Sequence, residues 1–488
     1  MSDQPVASNA FDPRGWGLPA EAVAELGHRL QGFWSRYRAC FKTKTRDASQ
    51  HAWTYLRGLL GMDTKRTFAN IARRVIDPAD DGQNLQQFMS DSPWSAQAVP
   101  QQVQREIAAT PELSRGGVLI LDESANEKGG AKSAGAGRQH NGRLGKIEMS
   151  QVGTFLAFFK GVVWTWVDGE LFLPEHWFAS AMAPERQRLG IPSERQFATK
   201  IELGWQMIQR VKAWGLPFEA VACDDLYGRS GWLRQHLDAA GLIYMAEVPE
   251  STQVYLIRPD FGVPPPQPRG RQPSRPRVLG AEPPVAVRQL VGDATMVFRR
   301  LPVRPTERGE LDDPFAMRRV WTVRQGALAE EWLVIHHENE QRYTYALSNA
   351  AADMPPERLA WLKCVRHFVE RSNQDAKSEI GWDELQAQKY RAWEHHLALT
   401  ILATWFIAQT KLEWSQAHPS DANLVQQMEL EVLPALSVAN VRQLLQAVLP
   451  LPQLSPEEAT RLVVTHLVNR ARSTRSRLKA QRRKRGQT

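Results

Sequence analysis

The sequence predicts an α/β protein, in which a mixed-sheet core is flanked by helical regions and interrupted by a β-rich insertion. Two observations predict the core. Short apolar runs that end at Asp122 and at Asp224 are typical of buried strands. Segments between and after these runs repeat apolar residues every three to four positions, as amphipathic helices do. Because 488 residues are too many for one ordinary core, we expect two to four structural units.

The first part of the chain is predicted to be helical. We expect residues 1–24 to be a flexible leader and residues 25–112 to form a helical DNA-binding domain. Within that domain, residues 48–60 and 68–76 place apolar side chains at helical spacing. Four cations lie beside these helices: Lys65, Arg66, Arg73 and Arg74. The pattern favours either a pair of helices that reads DNA or a plain helical bundle with basic flanks.

From residue 116 onward the pattern indicates alternating strands and helices. The first predicted elements are strands at 116–122, 151–160 and 162–167, which form a meander that residues 171–173 extend. They are followed by a helix at 200–214, a strand at 218–224, a helix at 230–240 and a strand at 243–248. Three strands, helix, strand, helix, strand is the order of a ribonuclease-H-like core. We expect residues 113–249 and 356–412 to form this core.

Residues 250–355 are predicted to form a β-rich insertion. Residues 258–284 are rich in Pro, Gly and Arg, which excludes a continuous helix or a central strand. Strands are predicted after them, at 285–290, 295–301, 319–324, 332–336 and 342–347. Further predictions are helices at 356–381 and 386–409, a helical C-terminal region at 413–469 and a basic tail at 470–488.

Charge and cysteine content narrow the class of protein. The net charge is +8, and residues 470–488 alone contain nine Lys or Arg and no acid, so the rest of the chain is close to −1. Such a tail either neutralises DNA phosphates or keeps the protein soluble. We expect no membrane span and no secretory signal, and hence a cytoplasmic protein. Three widely spaced cysteines predict neither disulfides nor a zinc site.

Asp122 and Asp224 are candidate metal ligands. Each follows an apolar strand, and open α/β sheets place their sites just beyond strand ends. Two acids on neighbouring strands repel each other unless a cation stabilises both carboxylates. Oxygen ligands without a nearby Cys or His pair favour Mg²⁺ over zinc. Taken singly, a strand-terminal Asp is more often the start of a turn or a helix cap.

A predicted helix after the insertion supplies the third acid. Arg366, Glu370, Gln374 and Lys377 share one face of this helix. One interpretation is a solvated face with an Arg–Glu ion pair. The Arg precedes the Glu, which is the less favourable order for a pair that contributes only ~0.2–0.5 kcal/mol. A carboxylate flanked by cations instead suits a site that holds metal ions and grips a phosphate, with Arg366 or Lys377 as the phosphate contact.

The pattern Arg-x3-Glu-x6-Lys resembles the signature around the third acid of IS4-like insertion-sequence transposases. That signature usually has Tyr three residues before the Arg, where this chain has Lys363. In particular, ordered blocks between about residues 53 and 409 resemble the IS701 group of that superfamily. The blocks are Leu121-Asp-Glu-Ser with Lys132-Ser-Ala-Gly, Gly145-Lys-Ile-Glu-Met-Ser-Gln, Leu171-Phe-Leu-Pro-Glu-His-Trp, Ala222-Cys-Asp-Asp-Leu-Tyr-Gly and Arg391-Ala-Trp-Glu-His-His. The second block departs from the group, which usually has Asn-Cys-Gln where this chain has Met-Ser-Gln.

The resemblance implies a DDE transposase that cuts transposon ends and joins them to target DNA. Asp122, Asp224 and Glu370 would hold two Mg²⁺ ions, with Mn²⁺ able to substitute. The implied partners are double-stranded DNA, as terminal inverted repeats and target, and a second copy of the chain in a homodimer. The candidate DNA contacts are Lys128, Lys132, Arg138, Arg366, Lys377, Tyr227, Arg391 and Trp393.

Two other functions stay open on the sequence alone. A nuclease that cuts without joining strands needs the same metal ions. A DNA-binding protein derived from a transposase would keep the fold, although the presence of all three acids argues against a dead site. In IS4-like relatives excision passes through a hairpin with a flipped base. Trp321 and Trp332 in the insertion are candidates to stack on such a base, but each is more commonly a core residue.

Overall fold

The structure is a computed structural model that describes residues 11–142, 144–266, 268–280, 282–306, 309–427, 433–449 and 483. The first ten residues of the predicted leader lie outside the described residues. So do most of residues 450–488, which include nearly all of the predicted basic tail. Residues 13–24, which we expected to be flexible, contain a 3-10 helix, Pro13–Trp16, and a first short α-helix.

Helices flank the strands on both sides in the sequence. The α-helices are α1 Ala20–Ala24, α2 Leu26–Tyr37, α3 Ser49–Gly61, α4 Phe68–Val75, α5 Gln83–Asp91, α6 Ala98–Ala109, α7 Ala183–Leu189, α8 Lys200–Ala213, α9 Asp225–Gly228, α10 Gly231–Ala239, α11 Pro356–Cys364, α12 His367–Gln374, α13 Tyr390–Ala417, α14 Ala422–Gln427 and α15 Val438–Val448. The strands are β1 Val118–Glu127, β2 Gly137–Asn141, β3 Lys146–Lys160, β4 Val163–Leu171, β5 Ala220–Cys223, β6 Ile243–Val248, β7 Gln253–Val254, β8 Asp260–Gly262, β9 Arg277–Gly280, β10 Val285–Ala286, β11 Arg299–Thr306, β12 Gly309–Arg324, β13 Ala327–Asn339 and β14 Arg342–Ser348.

Within the described residues, ten strands form one mixed sheet in the order β11-β12-β13-β14-β6-β5-β1-β3-β2, with β4 also paired to β3. β1 runs antiparallel to β3 and parallel to β5, and β5 runs parallel to β6. The remaining pairs in this sheet are antiparallel. The prediction of a mixed α/β protein is therefore confirmed.

The β-rich segment continues the main sheet. β14 pairs with β6, with Tyr345 opposite Val248. The segment also has its own cluster of buried apolar residues, which includes Val254 and Leu333. The predicted strand at 285–290 is wrong after Ala286, because the chain turns there into a 3-10 helix, Val287–Gly292, that buries two apolar side chains three residues apart.

α13 is the helix around which the helical part of the molecule packs. α3, α5 and α6 lie against it, and most of its 28 residues are buried. The His395 ring lies 2.9 Å from the Met89 carbonyl and 3.1 Å from the Trp94 carbonyl. Burial lowers the pKa of His395 to about 4, so it is a neutral packing residue. Among the helices in the described ranges, none combines the length and the apolar character that a bilayer span requires.

The cations beside α4 do not all face solvent. Arg66 is buried and donates hydrogen bonds to the Glu384 carboxylate and to the carbonyls of Met62 and Glu379. Its guanidinium is therefore not available to DNA, contrary to the helix-pair hypothesis for this residue. Lys65 and Arg74 are exposed.

Candidate active site

Asp122 and Asp224 each come directly after the last residue pair in the parallel register of β1 and β5. β1 does not end at Asp122, as we expected, but continues to Glu127, because β3 pairs with it along its whole length. β5 does end at Cys223, which lies opposite Leu121 in the parallel register. The two aspartates are the next residues on each strand, so the backbone brings them to the same point of the sheet.

The Asp122 carboxylate is buried and has few partners. One oxygen accepts a hydrogen bond from the Glu123 backbone N–H at 2.8 Å, and the other lies 3.4 Å from the Asn373 amide nitrogen. Burial and, after it, the charge of Asp224 raise the pKa of Asp122 to about 7. Asp122 forms no ion pair with a described residue, and the charge of Arg366 offsets the effect of burial only in part.

Asp224 stands at the N-terminus of α9. Its Oδ1 accepts hydrogen bonds from the backbone N–H groups of Leu226, at 3.1 Å, and Tyr227, at 3.3 Å. Burial nevertheless raises the pKa of Asp224 to about 6. Two carboxylates whose charge is disfavoured by burial are the donor set that a hard divalent cation stabilises. The pair therefore fits a magnesium ion.

Glu370 comes from a helical segment that is broken. The single helix predicted at 356–381 consists of α11, α12 and a π-helix, Asp375–Glu379. On α12, Glu370 is about half exposed (54%), and its Oε1 forms an ion pair with an Arg366 guanidinium nitrogen at 2.8 Å. The ion pair weighed from the sequence is thus present.

The predicted acids and two predicted cations line one cleft. Asp122, Asp224, Glu370, Arg366 and Lys377 all border a cavity of about 800 Å³. Within the described part of the chain, no group of three or more His, Cys, Asp or Glu is arranged to hold a metal ion. The two aspartates are in place, whereas the carboxylate of Glu370 is occupied by Arg366.

Glu247 on β6 holds Arg366, one of the two predicted cations that border the cleft, in position. Its carboxylate accepts hydrogen bonds from Arg366 Nε at 3.1 Å and from Lys363 Nζ at 2.5 Å. Burial alone would raise the pKa of Glu247, but Lys363 and Arg366 outweigh burial and lower it. Lys363, which stands where the IS4-like signature has Tyr, is therefore a buried partner of Glu247. Sequence reasoning missed Glu247, since no motif links it to the helix.

Three side chains after Glu370 attach its helix to the sheet. Asn373 lies near Asp122, as described, and its Oδ1 accepts a hydrogen bond from Trp166 Nε1 at 3.0 Å. Asp375 accepts one from Trp164 Nε1 at 2.9 Å, and Lys377 donates one to the Ala125 carbonyl of β1 at 2.8 Å. Asn373 was also missed, although its place three residues after Glu370 puts both on one helical face.

The other predicted DNA contacts are spread over the surface and the interior. Lys128 is half-buried and donates to the Leu385 carbonyl at 3.1 Å. Arg391 is exposed and donates to the Asp91 carbonyl at 3.2 Å. Lys132 and Arg138 are exposed and do not line the cleft that holds the acids.

Tyr227 and Trp393 are interior residues. Tyr227 is fully buried, and its hydroxyl donates to Thr154 at 3.5 Å. Trp393 is 3% exposed and packs against Trp382 and Phe155. In this conformation neither side chain reaches the surface, so the proposed DNA contacts exclude both.

Comparison with known proteins identifies the family of the chain. The family described as DDE superfamily endonuclease matches residues 36–309, which is more than half of the chain and includes Asp122 and Asp224. The chain is 27% identical over 212 residues to the probable transposase for insertion sequence element IS701 of Microchaete diplosiphon, which is 43% of this chain and 51% of the relative. It thus spans about half the length of that curated relative. On the extent of the family match, the chain belongs to the DDE superfamily endonucleases.

Proposed function

We propose that this protein is a DDE transposase that cuts double-stranded DNA at transposon ends and joins those ends to target DNA. The observation that carries the proposal is the convergence of Asp122, Asp224 and Glu370 on one cleft from three separate parts of the chain. The similarity to the probable IS701 transposase supports it. A homodimer at paired ends and a cytoplasmic, DNA-associated location are part of the same proposal.

We further infer that the core is ribonuclease-H-like. The support is the order of elements: β1, β3 and β4 form an antiparallel meander, and β5 and β6 then extend the sheet in parallel with β1. α8 lies between β4 and β5 in the sequence, and α10 lies between β5 and β6. α12 carries the third acid back to this sheet after the β-rich segment.

Asp122 and Asp224 would hold the metal ions from the sheet, and Glu370 would complete the site from α12. Two Mg²⁺ ions at such a site activate water and stabilise the attacking and leaving oxygens of an in-line displacement. The raised pKa values of Asp122 and Asp224 support this proposal, because Arg366 offsets the cost of burying the two charges only in part. To reach the site, Glu370 must leave Arg366.

Arg366 is placed to bind the phosphate that reacts. It borders the cleft, it is held by Glu247 on its other side, and it lies close enough to Asp122 and Asp224 for their charges to raise its pKa. A DNA phosphate on Arg366 would replace Glu370 as its anionic partner and so free that carboxylate. Water then attacks the scissile phosphorus and releases a 3′-hydroxyl. That hydroxyl attacks a target phosphodiester in the second displacement, which forms one new phosphodiester bond and releases the 3′-hydroxyl of the target strand.

The test is a pair of assays on the purified full-length protein with Mg²⁺ or Mn²⁺. Duplex oligonucleotides that carry the inverted repeats flanking the coding region measure nicking. Pre-cleaved ends with a 3′-hydroxyl measure joining to a plasmid. We expect both reactions in the wild type, and a loss of at least about 10³-fold in Asp122→Asn, Asp224→Asn and Glu370→Gln, since removing a residue of such a unit disables the whole site.

Asp225→Asn is the matched control, because this neighbouring carboxylate is half exposed and, among the described residues, its one ion pair is with Arg229. It should keep both activities. Nicking without joining would replace the proposal by a nuclease, and binding without either reaction would leave a DNA-binding protein.

A further inference from the structure

Residues 268–277 form an exposed arm in the β-rich segment. The arm joins β8 to β9, which pair with each other in a two-stranded ribbon outside the main sheet. The chain that leads into this ribbon is fixed to the main sheet, because the backbones of Tyr255 and Trp321 exchange two hydrogen bonds of 2.8 Å. Every residue of the arm is exposed except Pro273, which is half-buried.

The arm is strongly basic. Its four arginines are Arg269, Arg271, Arg275 and Arg277, and it contains no acid. None of the four forms an ion pair with a described residue. Exposed arginines elsewhere in this segment do pair, as Arg288 does with Glu250 and Arg300 with Asp312. A run of exposed arginines is ordinarily a solvated basic loop. The residues around Gly270, however, form an arrangement that such a loop does not require.

Gly270 separates Arg269 from Arg271 and has φ +93°, a conformation that favours glycine. A Cβ atom added at this position would meet nothing within 4 Å, so the protein's own packing does not require a glycine here. Prolines at 268, 273 and 276 each fix their own φ near −65° and remove N–H donors. The result is a thin backbone with a guanidinium on each side of a residue that lacks a side chain.

We propose that this arm binds in the minor groove of duplex DNA and prefers A·T-rich sequence. Runs of A·T pairs have a narrow minor groove with enhanced negative potential, which attracts arginine. A G·C pair places the guanine N2 amino group on the floor of that groove, where it blocks a closely approaching backbone. The glycine allows that approach, and the two arginines extend along the groove. The inference rests on the proposed function only in that duplex DNA is the partner, and it adds a contact separate from the cleft.

Arginine suits this role better than lysine. Its guanidinium is planar and more weakly hydrated than an ammonium group, so entering a narrow groove costs it less. Replacing Arg269 and Arg271 by Lys therefore keeps the charge and removes the preference. Gly270→Ala keeps all four cations and blocks the close approach. These two changes separate reading of the groove from simple attraction to phosphates.

The experiment measures DNA binding by the full-length protein in EDTA, where no cleavage occurs. Three fluorescent duplexes of equal length carry a central run of A·T, G·C or inosine·C pairs. An inosine·C pair presents the major-groove edge of G·C but lacks the N2 amino group. We expect the A·T and inosine·C duplexes to bind at least about fivefold more tightly than G·C. Arg269→Lys combined with Arg271→Lys, and Gly270→Ala alone, should each reduce this ratio to near one.

Gly241→Ala is the control, because Gly241 also has a positive φ, of +68°, and free space around an added Cβ. It should keep the wild-type ratio. The proposal is overturned if the arm variants keep that ratio or if inosine·C binds like G·C. It is also overturned if all three duplexes bind equally well to the wild type, which would leave only phosphate contacts.

This test and that of the proposed function fail independently. The preference is measured without metal, and Asp224→Asn should keep it. A protein that neither nicks nor joins but prefers A·T and inosine·C duplexes would refute the transposase and support the arm. An active transposase without that preference would support the proposed function and refute the role of the arm.

Discussion

At the scale of single residues, the charges around the cleft depend on buried partners from other parts of the chain. Glu247 holds both Arg366 and Lys363, whose side chain is only 2% exposed. A buried cation that loses its carboxylate keeps the cost of its desolvation. Glu247 therefore stabilises the buried charge of Lys363 and determines the position of Arg366.

Glu247→Gln should destabilise the protein. The change leaves Lys363 and Arg366 without their shared carboxylate, and breaking a buried ion pair costs about 3–5 kcal/mol. We expect a lower Tm in thermal denaturation and weaker nicking. Asp225→Asn, which removes an exposed ion pair, should change stability by only about 0.5 kcal/mol. An equal Tm in the two variants would contradict this role of Glu247.

Glu394 should make stability depend on pH. Burial, and then the charge of Glu170, raise its pKa to about 7, whereas an unfolded Glu has a pKa of about 4.3. Between these values the folded protein binds more protons than the unfolded chain, so stability falls as pH rises and levels off above about 7. In Tm measurements from pH 5 to 8, the Tm of Glu394→Gln should therefore fall less with rising pH than the Tm of the wild type. A constant difference from the wild type at all pH values would contradict it.

The sequence predicted the acids of the cleft better than their surroundings. Asp122 and Asp224 were found because they follow apolar strands, and Glu370 because two cations share its helical face. Glu247 and Asn373 act through contacts between distant segments, which no local pattern records. Tyr227 was mistaken for a surface residue, since a motif does not show which way a side chain faces.

At the scale of elements, the change from α12 to a π-helix determines how the third acid meets the sheet. π-Helical turns are rare and occur mostly at functional sites. Here the π-helix begins two residues after Asn373, which contacts β1 and β4, and ends at Glu379, which is bound by Arg442 of α15. Periodicity predicted one continuous helix because the apolar spacing changes little across such a turn.

Asn373→Ala should loosen α12 and weaken catalysis. The change leaves the buried Trp166 N–H without an acceptor, which costs about 1–3 kcal/mol, and removes the amide beside Asp122. We expect a lower Tm and slower nicking, but unchanged binding of A·T-rich duplex by the distant arm. Asn373→Asp keeps an acceptor for Trp166 and should recover more stability than activity. Full nicking by Asn373→Ala would argue against this role.

At the scale of the whole molecule, α3, α15 and the π-helix meet at two buried arginines. Arg442 of α15 donates to the Glu379 carboxylate at 2.7 Å and to the Met62 carbonyl at 2.6 Å. Arg66 binds the carbonyls of the same two residues. The helix α3, the helix α15 and the segment after Glu370 are therefore in contact at one place.

Arg442→Ala should weaken the contact among α3, α15 and the π-helix. Glu379 would keep a partly buried charge without its partner, so we expect a loss of about 3 kcal/mol, near the lower end for a broken buried pair. Limited proteolysis should then cleave the N-terminal helices earlier than in the wild type. Arg229→Ala, which removes an exposed cation, is the control. Identical proteolysis of Arg442→Ala and the wild type would contradict this role of Arg442.

The extent of the sheet could not be predicted from the sequence. The strands β10 to β14 were predicted at least in part, whereas the short strands β7, β8 and β9 were missed. The union of this segment with the core depends on the edge of β6, which pairs with β14. Pairing between edges that are far apart in the sequence leaves no local pattern. The boundaries of the predicted domains stay predictions.

Iron-mediated cleavage of the polypeptide tests the central claim most directly, namely that the three acids form one metal site. With Fe²⁺ in place of Mg²⁺, ascorbate and peroxide produce hydroxyl radicals that cut the backbone near the bound ion. In the protein bound to DNA, we predict cuts close to Asp122, Asp224 and Glu370 together, and their joint loss in Asp122→Asn. Cuts near the two aspartates alone, or the same cuts in the variant, would contradict the account.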